Sequence, residues 1–323
     1  MPASDAVRDG FPANPRHCYD IAGWRLVSDF SIPALPPAAN EAVTDIDITA
    51  GAVPARLDGS GGPDHPAWAM GRDGAALLTI PGLLRILIEN GRRVTVHALA
   101  EPDSLSIGML LRGPVLAVLA CQRGLLPFVG SAVRFDGGAL ALLGLPGGGK
   151  SVLAAMMARH GHAVLTDGLC VMATGAEGVS VQPLSPSLRL WPDAQRALGF
   201  DQADMAPYRP DGGFGFTTAP SMSPLTAVPL RKVIIIDGNQ VPPDNPAFVS
   251  LPPAETIGQL SATLAARPAL LAGPWAARLI GQLTAVARAG RPALTHPTRD
   301  WEWSRRLAAE IPALFGRDGE GAR

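Results

Sequence analysis

A glycine-rich octapeptide near the middle of the chain carries the clearest chemical signal. Residues 144–151 have the sequence Gly-Leu-Pro-Gly-Gly-Gly-Lys-Ser and match the pattern G-x-x-x-x-G-K-[S/T] at every fixed position. Glycines allow successive backbone N–H groups to curl around an anion, and the N-terminus of a following helix adds partial positive charge at the same point. The octapeptide therefore predicts a loop that binds the phosphates of a nucleotide.

Each polar side chain of the octapeptide has a predicted task. Lys150 is expected to reach the β- and γ-phosphates, and the Ser151 hydroxyl is expected to bind Mg²⁺. Lys150 stands out because only two of the 27 basic residues are lysines, the other being Lys232. The predicted nucleotide ligands are Gly144, Gly147, Gly148, Gly149, Lys150, Ser151 and Val152.

Asp167, 16 residues after Ser151, is the second chemical group of the predicted site. The apolar run before it predicts a strand that ends at Asp167 and lies beside the strand of the glycine-rich loop. A carboxylate there can bind Mg²⁺ or accept the proton of an attacking hydroxyl. Asp237, which follows the apolar run Val233–Ile236, is an alternative metal-associated acid.

Local patterns predict the elements that position these residues. We expect a hairpin around Asp136-Gly137-Gly138, whose second strand leads into the glycine-rich loop. A helix is predicted directly after the loop, another near Pro192, and a buried strand before Asp237. The predicted ranges are a strand at 139–143, a helix at 151–160, a strand at 232–237 and a mainly helical part from 254 onward.

The distribution of turn residues predicts three segments. Residues 1–16 are polar and proline-rich and are expected to be disordered, and short strands separated by turns predict a β-rich N-terminal domain over 17–105. Residues 106–323 are predicted to form the nucleotide-binding domain. Within it, the continuous apolar run 111–128 predicts a buried helix, and the Pro-, Gly- and Ser-rich segment 205–229 predicts a mobile loop.

Composition excludes several broad classes of function. The chain has 323 residues, 47% hydrophobic, with a net charge of −1, so no global charge favours nucleic acid or an anionic membrane surface. The N-terminus does not resemble a secretory signal, and no apolar run reaches the roughly 20 residues that span a bilayer. We therefore expect a cytoplasmic protein without nucleic-acid or membrane partners, and a homo-oligomer is possible.

The order of several motifs resembles one known family. The segments QRGLLPFVGSAVRFDGGALALLGLPGGGKS, RHGHAVLTDG and SLRLWPDAQRAL follow one another over about residues 113–199, and ARAGRPALTHPTRDW lies near the end. This succession resembles the C-terminal domains of HPr serine kinase/phosphorylases. It is most similar to the HPr-kinase-like enzymes of ribosomal-peptide pathways, including those of lasso peptides.

The resemblance implies a fold, a reaction and partners. The fold implied is α/β: a phosphoenolpyruvate-carboxykinase-like P-loop kinase domain with a mixed sheet, here preceded by a small β-rich domain and followed by C-terminal helices. The reaction implied is transfer of the γ-phosphate of ATP, with Mg²⁺, to a serine of a peptide or protein. For the lasso-associated members the acceptor implied is the precursor peptide. Asp167 corresponds to the first acid of the family's strand-end pair, and Lys150 to its loop lysine.

The chain departs from the family pattern at two positions, which leaves other functions open. Gly168 stands where the family has a second acid, and Gly130 where it tends to have a histidine. The signature of bifunctional HPr kinase/phosphorylases is missing, so phosphorylase activity on HPr is not expected. The alternatives are a degenerate, non-catalytic nucleotide-binding module that recognises a peptide, and a small-molecule kinase. Arginines that are candidates for binding phosphate or peptide are Arg189, Arg196 and Arg209.

Overall fold

The computed structural model shows a mixed α/β protein that divides into two compact units. It describes residues 16–38, 43–57, 67–100, 104–200, 205–207, 215–218, 226–237, 248–295 and 301–315. The first unit runs to Gly124 and includes Pro268–Ala277, and the second comprises the remainder from Leu125. The predicted lead-in, apart from Arg16, lies outside the described residues.

The first unit is built on a seven-stranded mixed sheet. Alternating burial along strands such as Leu84–Glu89 places one face in the core, as a period of two requires. The short strands predicted over 17–105 are present. The strands are β1 (His17–Ile21), β2 (Trp24–Ser28), β3 (Ile46–Ala50), β4 (Trp68–Met70), β5 (Ala76–Ile80), β6 (Leu84–Glu89) and β7 (Arg93–Ala98), in the order β1-β2-β3-β7-β6-β5-β4.

The helical segment after this sheet differs from the predicted helix at 111–128. It begins earlier, as α1 (Ser104–Leu110), passes through a π-helical turn (Leu111–Val115) that contains Pro114, and ends as α2 (Leu116–Gln122). Gly124 adopts φ +87° and the chain then enters a strand at Leu126, because a buried apolar run fits a core strand as well as a helix. Since α2 packs on β6, the first unit extends to Gly124 rather than to position 105.

This helical segment is also apolar enough to raise the question of a membrane span. Leu105–Gln122 has the length and hydropathy to cross a bilayer, and it is the one such helix among the described residues. However, 61% of this stretch is buried inside the fold, as in the core helix of a soluble protein.

The second unit is built on another seven-stranded mixed sheet. The hairpin predicted at Asp136-Gly137 is present, with positive φ at both residues, as a two-residue hairpin turn requires. The next strand in sequence, β10, lies on the far side of β8 from β9. The strands are β8 (Leu126–Phe135), β9 (Gly138–Leu143), β10 (Val164–Gly175), β11 (Gly178–Gln182), β15 (Val228–Ile236), β16 (Val249–Ser250) and β17 (Ala293–Thr295), in the order β11-β10-β8-β9-β15-β17-β16.

A small three-stranded sheet accompanies the main one. It comprises β12 (Ser187–Leu190), β13 (Met205–Pro207) and β14 (Gly215–Thr218), with β14 in the middle. The segment 205–229, predicted as a mobile loop, therefore contains two short strands, because backbone pairing of β14 with both β12 and β13 compensates for the poor strand propensity.

Helices cover the second sheet. The helix predicted after the glycine-rich loop is α3 (Lys150–Arg159), and it is buried along most of its length against β8, β12 and α8. The helix predicted near Pro192 and the mainly helical C-terminal part are also present. The helices of the second unit are α4 (Pro192–Leu198), α5 (Pro253–Ala262), α7 (Ala276–Gly290) and α8 (Trp301–Phe315), whereas α6 (Arg267–Ala272) lies almost entirely in the first unit.

Candidate functional site

The glycine-rich loop, residues 144–149, connects β9 to α3. Gly147 and Gly149 have φ of +87° and +83°, a region that side chains disfavour, and Gly149 is the N-cap of α3. A Cβ on Gly144 would lie 2.3 Å from the carbonyl oxygen of Ile236, at the end of the neighbouring strand. The loop is therefore folded tightly against the ends of β9 and β15, at the N-terminus of a buried helix.

Lys150 is held within the loop. Its Nζ donates a hydrogen bond of 2.6 Å to the carbonyl oxygen of Leu145, and the residue is buried. This burial lowers the pKa of Lys150 to about 8, an effect that the charge of Asp167 opposes and that of Arg189 reinforces. An anionic ligand would stabilise the charged form of a lysine that is desolvated in this way.

The lowered pKa predicts that polyphosphate binding takes up a proton. In the free protein the charged form of Lys150 is lost as the pH rises through about 8, and a bound polyphosphate restores it by raising the pKa. Calorimetric titration with ATP at pH 8.5, in two buffers of different ionisation enthalpy, should therefore show net proton uptake, and affinity should fall as the pH rises above 8. Lys150→Arg keeps its charge at this pH, so uptake that persists in this variant would contradict the assignment.

Asp167 lies at the centre of a buried polar cluster. Its Oδ1 accepts hydrogen bonds from Ser151 Oγ at 2.8 Å and from Ser131 Oγ at 2.5 Å. Its Oδ2 accepts the backbone N–H of Arg189 at 2.7 Å and lies 3.7 Å from the Nε of the same arginine. The structure thus brings Lys150, Ser151 and Asp167 together and engages both oxygens of the carboxylate.

The strand that carries Asp167 differs from the prediction in two respects. Asp167 lies inside the continuous strand β10 rather than at a strand end, because Gly168 remains paired with β8 instead of starting a turn. Moreover, β8 separates β10 from β9, so the strand of Asp167 is not adjacent to that of the loop. Ser131 on the intervening β8 pairs with Asp167, and it was not identified from the sequence because a serine in an apolar strand gives no signal.

The Ser151 and Asp167 pair fits the oxygen donors that Mg²⁺ prefers. A hydroxyl and a carboxylate oxygen 2.8 Å apart can share one hard cation, with phosphate and water oxygens as the remaining ligands. Among the described residues, no group of three or more His, Cys, Asp or Glu side chains could hold a metal. A cation here would therefore depend on the nucleotide for part of its coordination, as Mg²⁺ in nucleotide sites does.

The two departures from the family pattern, Gly130 and Gly168, are cross-strand partners. A Cβ on Gly130 would lie 2.6 Å from the Leu143 side chain and 2.8 Å from the Leu142 carbonyl oxygen, so a histidine does not fit there. At Gly168, with φ +85°, a Cβ would lie 1.8 Å from the Arg189 guanidinium. Gly168 therefore leaves the space in which Arg189 approaches Asp167.

This packing predicts a specific effect of Gly168→Ala. The new methyl group should displace the Arg189 guanidinium from Asp167, in addition to the cost of about 1–2 kcal/mol for alanine at positive φ. Gly161 is a matched control because it has φ +92° with no atom within 4 Å of a new Cβ. In chemical denaturation, Gly168→Ala should lose at least about 1 kcal/mol more stability than Gly161→Ala. Equal losses would show that Arg189 moves aside without cost.

A cavity of about 860 Å³ lies beside the loop, within the second unit. One wall consists of loop residues 144–149, together with Val152 and Leu153 of α3. A second wall is polar and is contributed by Asp237, Gln259 and Thr263. A third is mainly aromatic and is contributed by Trp191, Ala194, Trp301 and Trp303, with Asp193 and Ser304 also lining the cavity. Lys150, Ser151 and Asp167 are not among the lining residues.

Asp237, the alternative acid, is placed at this cavity by its strand. It follows β15, which is parallel to β9 and directly beside it, so both strands end at the same edge of the sheet. Its backbone N–H donates to the Thr295 carbonyl oxygen at 3.0 Å. The acid at the end of the strand adjacent to the loop strand is thus Asp237, whereas Asp167 reaches the loop from beyond β8.

The three candidate arginines occupy different positions relative to the site. Arg189 lies beside Asp167, as described above. Arg196 is exposed on α4 and does not line the cavity. Arg209 lies outside the described residues.

Among known proteins, the chain has a distant structural likeness to a solved kinase/phosphatase. No protein-family model matches the chain, and no curated protein matches it. Among solved structures, the chain is similar to the HPr(Ser) kinase/phosphatase from Coxiella burnetii, with 13% sequence identity and a TM-score of 0.23 over 38% of this chain and 74% of that one. A likeness this distant assigns neither a family nor an activity to the chain.

Proposed function

We propose that this protein is an ATP-dependent kinase that transfers the γ-phosphate to a serine hydroxyl of a peptide or protein. The observation that supports this most strongly is the pairing of Ser151 with Asp167, directly behind a glycine-rich loop that holds Lys150. A loop of backbone N–H donors, a lysine, a hydroxyl and a carboxylate are the groups that phosphoryl transfer from a nucleotide needs.

The proposed roles follow from position. The N–H groups of the loop and Lys150 bind the phosphates, and Lys150 exchanges the Leu145 carbonyl oxygen for phosphate oxygens. Ser151 and Asp167 hold Mg²⁺, which neutralises charge on the β- and γ-phosphates when bound. The serine oxygen of the acceptor forms a bond to the γ-phosphorus, while the bond from that phosphorus to the bridging oxygen breaks and ADP leaves.

The proton of the acceptor hydroxyl must pass to a base. Both Asp167 and Asp237 are carboxylates at this site, but the Asp167 side chain is fully buried and both its oxygens accept hydrogen bonds. Asp237 lines the cavity. We therefore assign the metal role to Asp167 and the base role to Asp237.

The resemblance described above supports a serine of a peptide as the acceptor. For the lasso-associated relatives it points to a precursor peptide, modified in the cytoplasm. The test is transfer of labelled γ-phosphate from ATP–Mg²⁺ to candidate serine-containing precursor peptides, with the modified residue located by mass spectrometry. A peptide whose serine is replaced by alanine is the control. Label on a small hydroxyl compound but not on peptides would instead indicate a small-molecule kinase.

A non-catalytic nucleotide-binding module is the second candidate. Arg189 lies where a second acid would project, so one carboxylate of the family's pair is replaced by a cation beside Asp167. A site of this kind can bind nucleotide and change its affinity for a peptide without transfer. Nucleotide binding with neither transfer nor turnover, across serine peptides, would favour this function over the kinase.

A further inference from the structure

We propose that the aromatic wall of the cavity, defined as Trp191, Trp301 and Trp303, is the binding site for the base of the nucleotide. This inference rests on the proposed function, because it names the part of the site that holds the nucleoside. None of these three tryptophans was predicted to have a role in the site.

The composition of the cavity is the first observation. The chain has only six tryptophans, and three of them line this one cavity although they come from two separate segments, before α4 and at the start of α8. Tryptophan faces stack on nucleobases without regard to sequence, since every base has a π-face. Their convergence beside a predicted phosphate-binding loop suits a ligand with one anionic and one planar apolar end.

Exposure gives the second observation. Trp191 is 51% exposed, although it directly precedes a helix whose Ala194 and Leu198 are buried. Trp301 is partly buried and packs on the edge of the core. A half-exposed indole at the edge of a cavity presents aromatic surface that a ligand can reach.

The hydrogen bonding of Trp303 gives the third observation. The residue is 5% exposed, and its indole Nε1 has no hydrogen-bond partner in the part of the chain that the structure describes. Buried N–H groups of folded proteins nearly always have a partner. Because Trp303 lines the cavity, we infer that a small adjustment of this side chain lets Nε1 donate to an acceptor nitrogen or oxygen of the base.

The position of α3 determines which end of the ligand meets the aromatic wall. Val152, which follows Ser151, lines the same cavity, and α3 packs against both α4 and α8. A nucleotide anchored in the loop therefore has the aromatic wall on the side of these helices. The polar lining residues Asp237, Gln259 and Thr263 suit a hydroxyl acceptor.

The test compares ATP with inorganic tripolyphosphate, which has the phosphates but no base. Dissociation constants for both ligands are measured with Mg²⁺ by calorimetry, for the full-length wild type, Trp191→Ala, Trp301→Leu and Trp303→Phe. Trp191→Ala should weaken ATP binding by about 5- to 150-fold and leave tripolyphosphate binding within about twofold. Trp303→Phe keeps an aromatic ring but loses the N–H donor. We therefore expect this variant to weaken ATP binding by about 2- to 10-fold and to leave tripolyphosphate binding unchanged.

Controls separate stacking from general damage. Trp191→Phe should restore most of the ATP affinity. Ile280→Ala, at a side chain 67% exposed on α7 and outside the cavity, should change neither ligand. Intrinsic tryptophan fluorescence should respond to ATP but not to tripolyphosphate in the wild type.

Several outcomes would overturn the inference. Equal weakening of ATP and tripolyphosphate in the tryptophan variants would show that they disturb the loop, and unchanged ATP binding with a raised KM for peptide would assign the wall to the acceptor. If Lys150→Ala loses tripolyphosphate binding but the tryptophan variants bind ATP as tightly as the wild type, this inference fails and the proposed function stands. If the wild type binds neither ligand, both fail.

Discussion

Lys150→Met is expected to reduce phosphoryl transfer by about 10²–10³-fold and to weaken nucleotide binding. The reason is the charge that develops on the transferring phosphoryl group in a site with few other cations. Apart from Lys150, Arg189 is the only cationic side chain that the described part of the chain brings to the Asp167 cluster.

The second lysine provides a close control. Lys232 resembles Lys150 in that burial lowers its pKa to about 8 and its Nζ donates to a carbonyl oxygen, that of Arg291, at 2.6 Å. It lies over the Phe315 ring and does not line the cavity. Lys232→Met should therefore change stability more than transfer. Similar losses of transfer in both variants, with unchanged folding, would contradict the role of Lys150.

Asp167→Asn is the second substitution with a large expected effect. Asparagine keeps the size of the side chain but removes its charge. It also replaces one carboxylate oxygen, which accepts hydrogen bonds from the cluster, with an N–H₂ group that can only donate. We expect the dependence of ATP affinity on Mg²⁺ to disappear and transfer to fall by about 10²–10³-fold. Because at least one hydrogen bond of the cluster is also lost, thermal stability should fall, and folding must be checked by circular dichroism.

Asp237→Asn separates the metal role from the base role. If Asp237 accepts the proton, this variant should lower the rate of transfer by about 10²–10⁴-fold and leave the affinity for ATP–Mg²⁺ within about twofold. Comparison of Asp167→Asn with Asp237→Asn therefore assigns one role to each carboxylate. Full transfer in Asp237→Asn would return the base role to Asp167, as the sequence alone suggested.

The sequence determined the local elements of this site. The octapeptide 144–151, the hairpin before it and the helix after it were predictable because glycine positions, turn residues and helix formers act over a few neighbouring residues. The same holds for the helix at Pro192 and for the strands of the first unit, where polar and apolar residues alternate.

Long-range pairing was decided only by the tertiary structure. An Asp-Gly pair is a common turn signal, yet Asp167 and Gly168 continue β10, because Gly168 pairs with Gly130 and leaves room for Arg189. Nothing local shows that β8 separates β10 from β9, or that Ser131 reaches Asp167. The three tryptophans likewise meet at one cavity only after α4 and α8 pack on α3. Contacts between residues far apart in the chain depend on packing that local patterns do not encode, whereas the loop's shape depends on its own glycines.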